Sequence, residues 1–241
     1  MNSRIKLSAK AALNGSWFRI LPAFVAIILL CIVFTFLNAL VNYFFAGAGK
    51  PLLASVAILS LPLFVAVFAP LRLVLQIKLL MNARGLRAGA RFDIGFSGVL
   101  KACELSIRLF FVKLFWFAVF EAVPVMSGAL FVYGNYRSTV SLKAAYTVLA
   151  GLSLLVFAGL FFYGVFIQRY SKSMFFLACY KDFTAGDAIA ESVRRTRGKL
   201  TDIFCFKLSF VPWILLCISI LPAFYVFPYY KQSLTCLYLS R

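Results

Sequence analysis

Five long apolar stretches, separated by connections of unequal charge, limit what this chain can fold into more than any other feature. Each stretch supplies about the 20 apolar residues that a helix needs to cross roughly 30 Å of hydrocarbon. A soluble domain normally carries about 25% charged residues, whereas this chain is 13% charged and 63% hydrophobic. A single water-soluble core would leave too little polar surface to face solvent. The composition therefore predicts a protein embedded in a lipid bilayer.

The positions of the apolar stretches predict an all-α fold. We expect residues 1–241 to form one integral membrane domain, a polytopic bundle of about five transmembrane helices. An alternative adds a sixth crossing around Met174–Tyr180, but the stretch between Lys172 and Lys181 is only eight residues long. We interpret it as an extension of the fourth helix along the cytoplasmic interface. The predicted spans lie near 20–45, 51–71, 109–133, 145–167 and 204–227.

Lys and Arg residues collect on alternate connections. The N-terminal segment, the 72–108 connection and the 168–200 connection together hold 18 basic residues, against five on the opposite side. Cytoplasmic loops of membrane proteins are enriched in Lys and Arg. The pattern predicts a multi-pass protein of the cell membrane with a cytoplasmic N-terminus and an extracytoplasmic C-terminus. It also accounts for the net charge of +18 without nucleic acid as a partner.

Two basic segments, 4–14 and 184–197, are predicted to form amphipathic helices along the inner membrane surface. In the second, Thr184 is the predicted N-cap, Asp187 its capping-box partner and Gly198 the residue after the helix end. Each basic residue near anionic headgroups contributes about 1 kcal/mol. These helices either act as topological anchors only or contact anionic lipid headgroups or another membrane protein. The predicted apolar face comprises Ala185, Ile189, Val193 and Thr196, and the candidate contacts are Arg194, Arg195, Arg197 and Lys199.

Inside the predicted membrane region, Glu121 is the strongest single candidate for function. It lies near the centre of the third span, where a charged side chain costs about 2.5–3.5 kcal/mol. We consider two interpretations: a proton or cation site, and a neutral carboxyl that bonds a neighbouring helix. Asn38 and Asn42 share one face of the first span, and we interpret them as helix-packing contacts rather than a permeation path. Together the three residues form a possible intramembrane polar site.

Several kinds of chemistry lack their usual residues. The chain contains no histidine, and its six cysteines include no CxxC pair. Zinc, haem and histidine-based acid–base catalysis therefore lack their common ligands or bases. We predict no metal site, no cofactor, no catalytic residues and no enzymatic activity, and we expect free thiols.

Three segments resemble a known family. They are IKLSAKAALNGSW (5–17), SVRRTRGKLTDIFCFKLSFVPW (192–213) and PYYKQSLTCLY (228–238), which together cover about a fifth of the chain. The chain is similar here to an uncharacterised bacterial integral membrane protein family, domain of unknown function nine-seven-five. It departs from the family pattern at Thr196 and Arg197, where Met and Lys are common. The resemblance implies a location in a bacterial cytoplasmic membrane and implies no activity.

These observations predict a non-enzymatic accessory, scaffolding or regulatory component of the cytoplasmic membrane. Its expected partners are the bilayer, anionic headgroups on the cytoplasmic face and another membrane protein. The alternative is a small transporter or channel-like protein that uses Glu121. A continuous polar cavity reaching Glu121 would favour transport, whereas a dry, tightly packed bundle would favour the accessory role.

Overall fold

The fold is all-α, as predicted. The computed structural model describes residues 2–44, 50–85, 95–137, 142–218 and 220–240. Within these residues the chain is almost entirely helical and contains no strand. Single 3-10 turns follow the fifth and ninth α-helices at Ile167–Tyr170 and Leu216–Ile218. The α-helices are α1 (Asn2–Leu13), α2 (Trp17–Phe44), α3 (Lys50–Ala83), α4 (Phe96–Arg137), α5 (Leu142–Phe166), α6 (Ser173–Cys179), α7 (Ala185–Thr196), α8 (Leu200–Leu208), α9 (Val211–Leu215) and α10 (Ile220–Leu239).

Four apolar segments in the described part of the chain are long enough to cross a membrane, and they correspond to the first four predicted spans. Large apolar side chains along them point outward: Phe36 is 63% exposed and Phe157 is 70% exposed. Water would not favour such surfaces, whereas lipid solvates them. The chain is therefore a multi-pass helical membrane protein. The four segments are Trp17–Val41, Phe64–Ala83, Phe96–Phe131 and Tyr146–Cys179.

The fifth predicted span, 204–227, does not form one continuous helix. After α8 the chain turns at Ser209 and Phe210 and enters the five-residue helix α9. Pro212 lies in the first turn of α9, a position that proline tolerates because the missing N–H would have no partner there. The predicted fifth span is thus, over the described residues, a broken apolar segment and not a single helix, beside four segments long enough to cross a membrane.

Helices α3 and α4 extend far beyond the predicted limits of the second and third spans. Helix α4 has 42 residues, and a helix of that size is about 63 Å long, roughly twice the thickness of the hydrocarbon. Residues 72–83 of α3 and residues 96–108 of α4 contribute to a hydrophobic core with α1, α6, α7 and α10. We call this assembly the packed end. Its core includes Leu73, Ile77, Leu80, Ala102, Leu105, Ala185, Leu234 and Leu237.

Helix α6 lies at the centre of the packed end. Phe175 and Phe176 are 4% and 3% exposed, and the Phe175 ring lies 5.7 Å from the Tyr238 ring of α10. The segment Met174–Tyr180 is therefore neither a sixth crossing nor an extension of the fourth helix along the interface. The 3-10 turn at Ile167–Tyr170 separates α6 from α5, and the apolar side chains of α6 are buried by protein.

Polar contacts attach α10 to α3. The Gln76 Nε2 donates to Thr235 Oγ1 at 3.1 Å, and the Gln232 Nε2 donates to the Leu79 carbonyl at 3.3 Å. Asn82 adds a contact to the Gln232 Oε1 at 3.4 Å. Gln232 and Thr235 are almost completely buried, so these bonds satisfy groups that would otherwise be costly inside the core.

Both terminal helices lie at the packed end. The Tyr229 hydroxyl donates to the Lys6 carbonyl at 3.4 Å, and Ile5 and Leu234 belong to the same core. Helix α1 precedes the first span, so the C-terminal half of α10 lies at the end of the bundle where that span begins. The predicted fifth crossing, which would place the termini on opposite sides of the membrane, is not a continuous helix in the described residues.

Candidate functional site

The predicted start and end of α7 are confirmed. The Asp187 N–H donates to Thr184 Oγ1 at 3.2 Å, and the Thr184 N–H donates to Asp187 Oδ2 at 3.0 Å. The Thr184 hydroxyl also donates to Asp187, and these hydrogen bonds lower the pKa of the Asp187 carboxyl below its ordinary value. Gly198 adopts φ +75°, the left-handed conformation expected after a helix end. The basic helix is therefore a defined, capped element.

The inward face of α7 differs from the predicted one. Ala185, Ala188, Ser192 and Thr196 are completely buried, whereas Ile189 is only half-buried. These small residues let α7 approach α4 and α6 closely. The helix thus packs on protein instead of lying with an apolar side on the membrane surface.

Ser192 fixes α7 to the segment between α5 and α6. Its hydroxyl donates to the Arg169 carbonyl at 2.6 Å and accepts from the Lys172 N–H at 3.2 Å. Thr196 donates to the Ser192 carbonyl at 2.7 Å and lies 3.3 Å from the Arg169 carbonyl. Because the buried face of α7 makes these bonds, its basic residues are directed outward.

Two of the four predicted basic contacts are paired within α7. Arg194 and Arg195 each reach the Glu191 carboxylate at 2.7 Å. Hydrogen bonds from Arg194 and then Arg195 lower the pKa of Glu191 below its ordinary value. Arg197 and Lys199, beyond the last turn, are exposed. All four residues lie on the outer surface of the packed end, and Arg194 and Arg195 form part of a local ion network there.

The N-terminal basic helix also packs on protein. Ile5, Ala9 and Leu13, spaced four residues apart, form its buried face, and this face contacts α10 and α3. The Lys6 Nζ lies 4.5 Å from the centre of the Phe210 ring, a favourable cation–π distance. Both predicted amphipathic helices therefore exist, but neither uses its apolar face for lipid.

Glu121 packs tightly against α5. The residue is 6% exposed, and among the described residues its Oε1 atom has no hydrogen-bond partner. Gly159 makes the close approach possible, because a Cβ atom there would lie 2.8 Å from Glu121 Oε1 and 3.0 Å from the Phe120 carbonyl oxygen. The Phe120 ring contacts Tyr163 and Phe166 of α5. This carboxyl thus lies against the Gly159 backbone, and aromatic rings pack between the two helices nearby.

The structure does not combine Asn38 and Glu121 into one site. The Asn38 Nδ2 donates to the Phe34 carbonyl of its own helix at 2.8 Å. Helix α2 packs mainly against α3, whereas α4 packs against α5 and α3. The side chain of Asn42 lies outside the described residues. These contacts of Asn38 and Glu121 thus lie on different helix pairs, and the intramembrane polar site stays a prediction.

A group of four basic residues from four different helices was not recognised from the sequence. We call Arg72 of α3, Lys113 of α4, Lys207 of α8 and Lys231 of α10 the cation cluster. Lys231 lies near enough to Arg72 and Lys113 for their charges to repel, and Lys207 experiences repulsion from Lys231 and Lys113. Burial, followed by this repulsion, lowers the pKa of Lys207 to about 7 and that of Lys231 to about 8.

Polar and aromatic contacts surround the cation cluster. The Lys207 Nζ donates to Gln168 Oε1 at 2.6 Å. Trp116, one turn from Lys113, donates from its indole nitrogen to the Tyr170 hydroxyl at 3.2 Å. No carboxylate in the described ranges forms an ion pair with any member of the cluster. In the sequence, Lys113 and Lys207 lie inside the predicted spans 109–133 and 204–227, which is the one sign of such a group. Lys231 follows the predicted fifth span, which would place it on the opposite side of the membrane from Arg72.

Comparison of this chain with known proteins found no relative. No protein-family model, curated protein or solved structure matches this chain. The resemblance to the bacterial membrane family therefore stays a prediction from the three sequence segments, and the site is interpreted from its own residues.

Proposed function

We propose that this protein is a non-enzymatic, multi-pass component of a bacterial cytoplasmic membrane that presents a folded basic surface to other envelope components. The observation that carries the proposal is the contrast between the two parts of the molecule. The packed end has a capped basic helix, buried polar contacts and a hydrophobic core. The spans, by contrast, expose large apolar side chains along much of their length.

The proposed orientation has the packed end in the cytoplasm. The described basic residues of the N-terminal segment, of residues 72–85 and 95–108 and of residues 168–200 belong to or adjoin this end. Positive charge near the membrane is typical of the cytoplasmic side, where anionic lipids attract it. Because α10 packs beside α1, the proposal places both termini in the cytoplasm. Arg197 and Lys199 are then available to anionic headgroups or to an acidic surface of a partner protein.

Transport through Glu121 receives less support. A transport site must exchange its proton or ion with water, and an intramembrane carboxyl in that role normally faces a wet cavity. Glu121 instead contacts Gly159 and has aromatic neighbours on both helices. Close helix–helix packing of this kind is typical of small residues in membrane bundles.

Photo-crosslinking in native membranes tests the proposed accessory role. A photoreactive amino acid replaces the exposed Arg197 in the full-length protein, and a matched one replaces Phe157, which is 70% exposed on α5. We expect a discrete protein adduct from position 197 that Lys199→Gln weakens, and only lipid adducts from position 157. Absence of a protein adduct from position 197 would contradict the proposal. Proton or cation flux in vesicles that Glu121→Gln abolishes would support transport instead.

A further inference from the structure

The cation cluster combines features that point to an anionic ligand. Its four members come from α3, α4, α8 and α10. The Phe210 ring after α8 lies 5.2 Å from the Tyr230 ring beside Lys231, so the fold and not a local sequence run brings these helices together. In the described part of the chain, none forms an ion pair with a carboxylate. Like charges that are partly removed from water repel strongly. An arrangement of this kind is stabilised when an anion lies among the cations.

Contacts between the helices keep the cluster together. Gln76, one turn from Arg72, donates to Thr235, one turn from Lys231, at 3.1 Å. Trp116 and Gln168 connect the neighbourhoods of Lys113 and Lys207 to the turn after α5. The Cα atoms of all four residues are therefore held in place by packed helices. The helices cannot simply move apart to relieve the repulsion between the four charges.

The cluster has an open side and a closed side. Arg72 and Lys113 are exposed, whereas Lys207 and Lys231 are half-buried. Phe110 and Leu114, on either side of Lys113 in the sequence, are 49% and 50% exposed. The open side thus adjoins apolar helix surface that is suited to acyl chains, and a ligand could enter from the bilayer.

We propose that the cation cluster binds one phosphate group, of the kind that a membrane lipid carries in its headgroup. Arg72 supplies a planar guanidinium that can bind two phosphate oxygens at once, and the three lysines supply ammonium donors. The acyl chains of the lipid would lie along the exposed apolar surface of α4. Inorganic phosphate carries the same negatively charged oxygens, but it has no acyl chain that could bind to that apolar surface. This inference does not depend on the accessory role.

The test measures lipid binding to the full-length protein. Protein in zwitterionic detergent micelles is titrated with phosphatidylglycerol, with phosphatidylcholine or with inorganic phosphate, and native mass spectrometry counts the lipids retained. We expect one tightly retained phosphatidylglycerol and an increased thermal unfolding midpoint. Phosphatidylcholine should have a weaker effect because its headgroup is neutral overall. If inorganic phosphate increased the unfolding midpoint as much as phosphatidylglycerol does, the phosphate site would be supported and its ligand would be a free phosphate.

A matched pair of double variants locates the site. Lys207→Gln with Lys231→Gln removes two charges from the cluster, and Arg194→Gln with Arg197→Gln removes two from the surface of α7. The first should weaken phosphatidylglycerol binding about tenfold or more, at roughly 1 kcal/mol for each charge. The second should leave the retained lipid in place. Equal effects of the two double variants, or no effect of the first, would overturn the proposal.

Two further variants guard against a folding defect in the half-buried pair. Arg72→Gln with Lys113→Gln removes the exposed members, whose loss leaves no cavity in the core. It should also weaken binding, while the unfolding midpoint without lipid stays the same or rises because repulsion within the cluster is relieved. Lys207→Arg with Lys231→Arg keeps the charges and should retain the lipid. The assignment of the lipid site to the cation cluster would be contradicted if the Lys207→Arg and Lys231→Arg variant lost the lipid while the Arg72→Gln and Lys113→Gln variant still bound it.

Discussion

Gly159 permits a backbone approach that no other residue would allow at this position. A Cβ atom there would lie 3.0 Å from the Phe120 carbonyl oxygen, and a backbone atom in a packed helix cannot move as easily as the end of a flexible side chain. Gly151 and Gly159 lie eight residues apart in α5, a spacing that by itself favours close packing at both. Of the two, only Gly159 has a described neighbour within 4 Å of an added Cβ, so sequence spacing alone does not distinguish them.

The first prediction concerns these two glycines. Gly159→Ala should lower stability by about 1–3 kcal/mol, because the new methyl group overlaps Glu121 and the Phe120 backbone. Gly151→Ala, on the same helix with open space around it, is the control and should change stability little. Thermal unfolding of the purified protein in detergent measures both variants. Equal destabilisation by the two substitutions would contradict the packing of α4 on α5 described above.

A second prediction concerns the hydroxyl of Ser192. Ser192→Ala should cost about 1–3 kcal/mol, because the buried Lys172 N–H loses its acceptor. Ser153→Ala is the matched control, since its exposed hydroxyl bonds only to Ala150 in its own helix. Chemical or thermal unfolding compares the variants, and hydrogen exchange should show weaker protection in α7 for Ser192→Ala alone. Unchanged protection would show that Ser192 does not fix α7.

At the level of helices, the sequence predicts those parts of the fold that depend on residues close together in the chain. The lengths of the apolar stretches identified four spans, and Thr184, Asp187 and Gly198 identified the ends of α7. The role of α6 was not predictable, because an eight-residue apolar segment reads the same on a membrane surface and in a protein core. The cation cluster was missed for a related reason. Counting the basic residues in each connection between spans predicts which side of the membrane that connection faces. The count does not show which helices pack together.

The position of α6 leads to the third prediction. Phe176→Ala should destabilise the protein by about 3–5 kcal/mol, because it leaves a cavity in the core of the packed end. Phe157→Ala removes the same ring from a position that is 70% exposed on α5 and should have a much smaller effect in detergent. A similar small effect of both substitutions would place α6 at the membrane interface instead.

For the whole molecule, the described residues contain four segments long enough to cross a membrane, and the apolar stretch 204–227 is broken at α9. The apolar side chains of α9 remain exposed, with Trp213 at 55% and Leu215 at 61%, so they form part of the apolar outer surface of the molecule. We expect that an apolar run long enough to span a membrane need not cross it. Whether it does depends on where the following helix packs, and the buried Gln232 and Thr235 attach α10 to the packed end.

The fourth prediction tests this topology. Reporter domains fused after residue 240 and before residue 2 should be active in the same compartment, and a reporter inserted at residue 140, between α4 and α5, should be active in the other. The physical reason is the contact of α10 with α1. Activity of the reporters at 140 and 240 in one compartment would restore the fifth crossing and contradict the packing of α10.

The contact between Tyr229 and Lys6 joins groups 223 residues apart in the sequence. Because α1 and α10 share one core, that core cannot close until α10 has left the ribosome. The spans must enter the bilayer earlier, while α1 still lacks its final neighbour and exposes Ile5, Ala9 and Leu13. During synthesis, α1 therefore lacks α10, its packing partner, until all four spans have been made. A premature stop codon shortly before α10 would leave an inserted but unfinished protein, a natural substrate for membrane quality-control proteases.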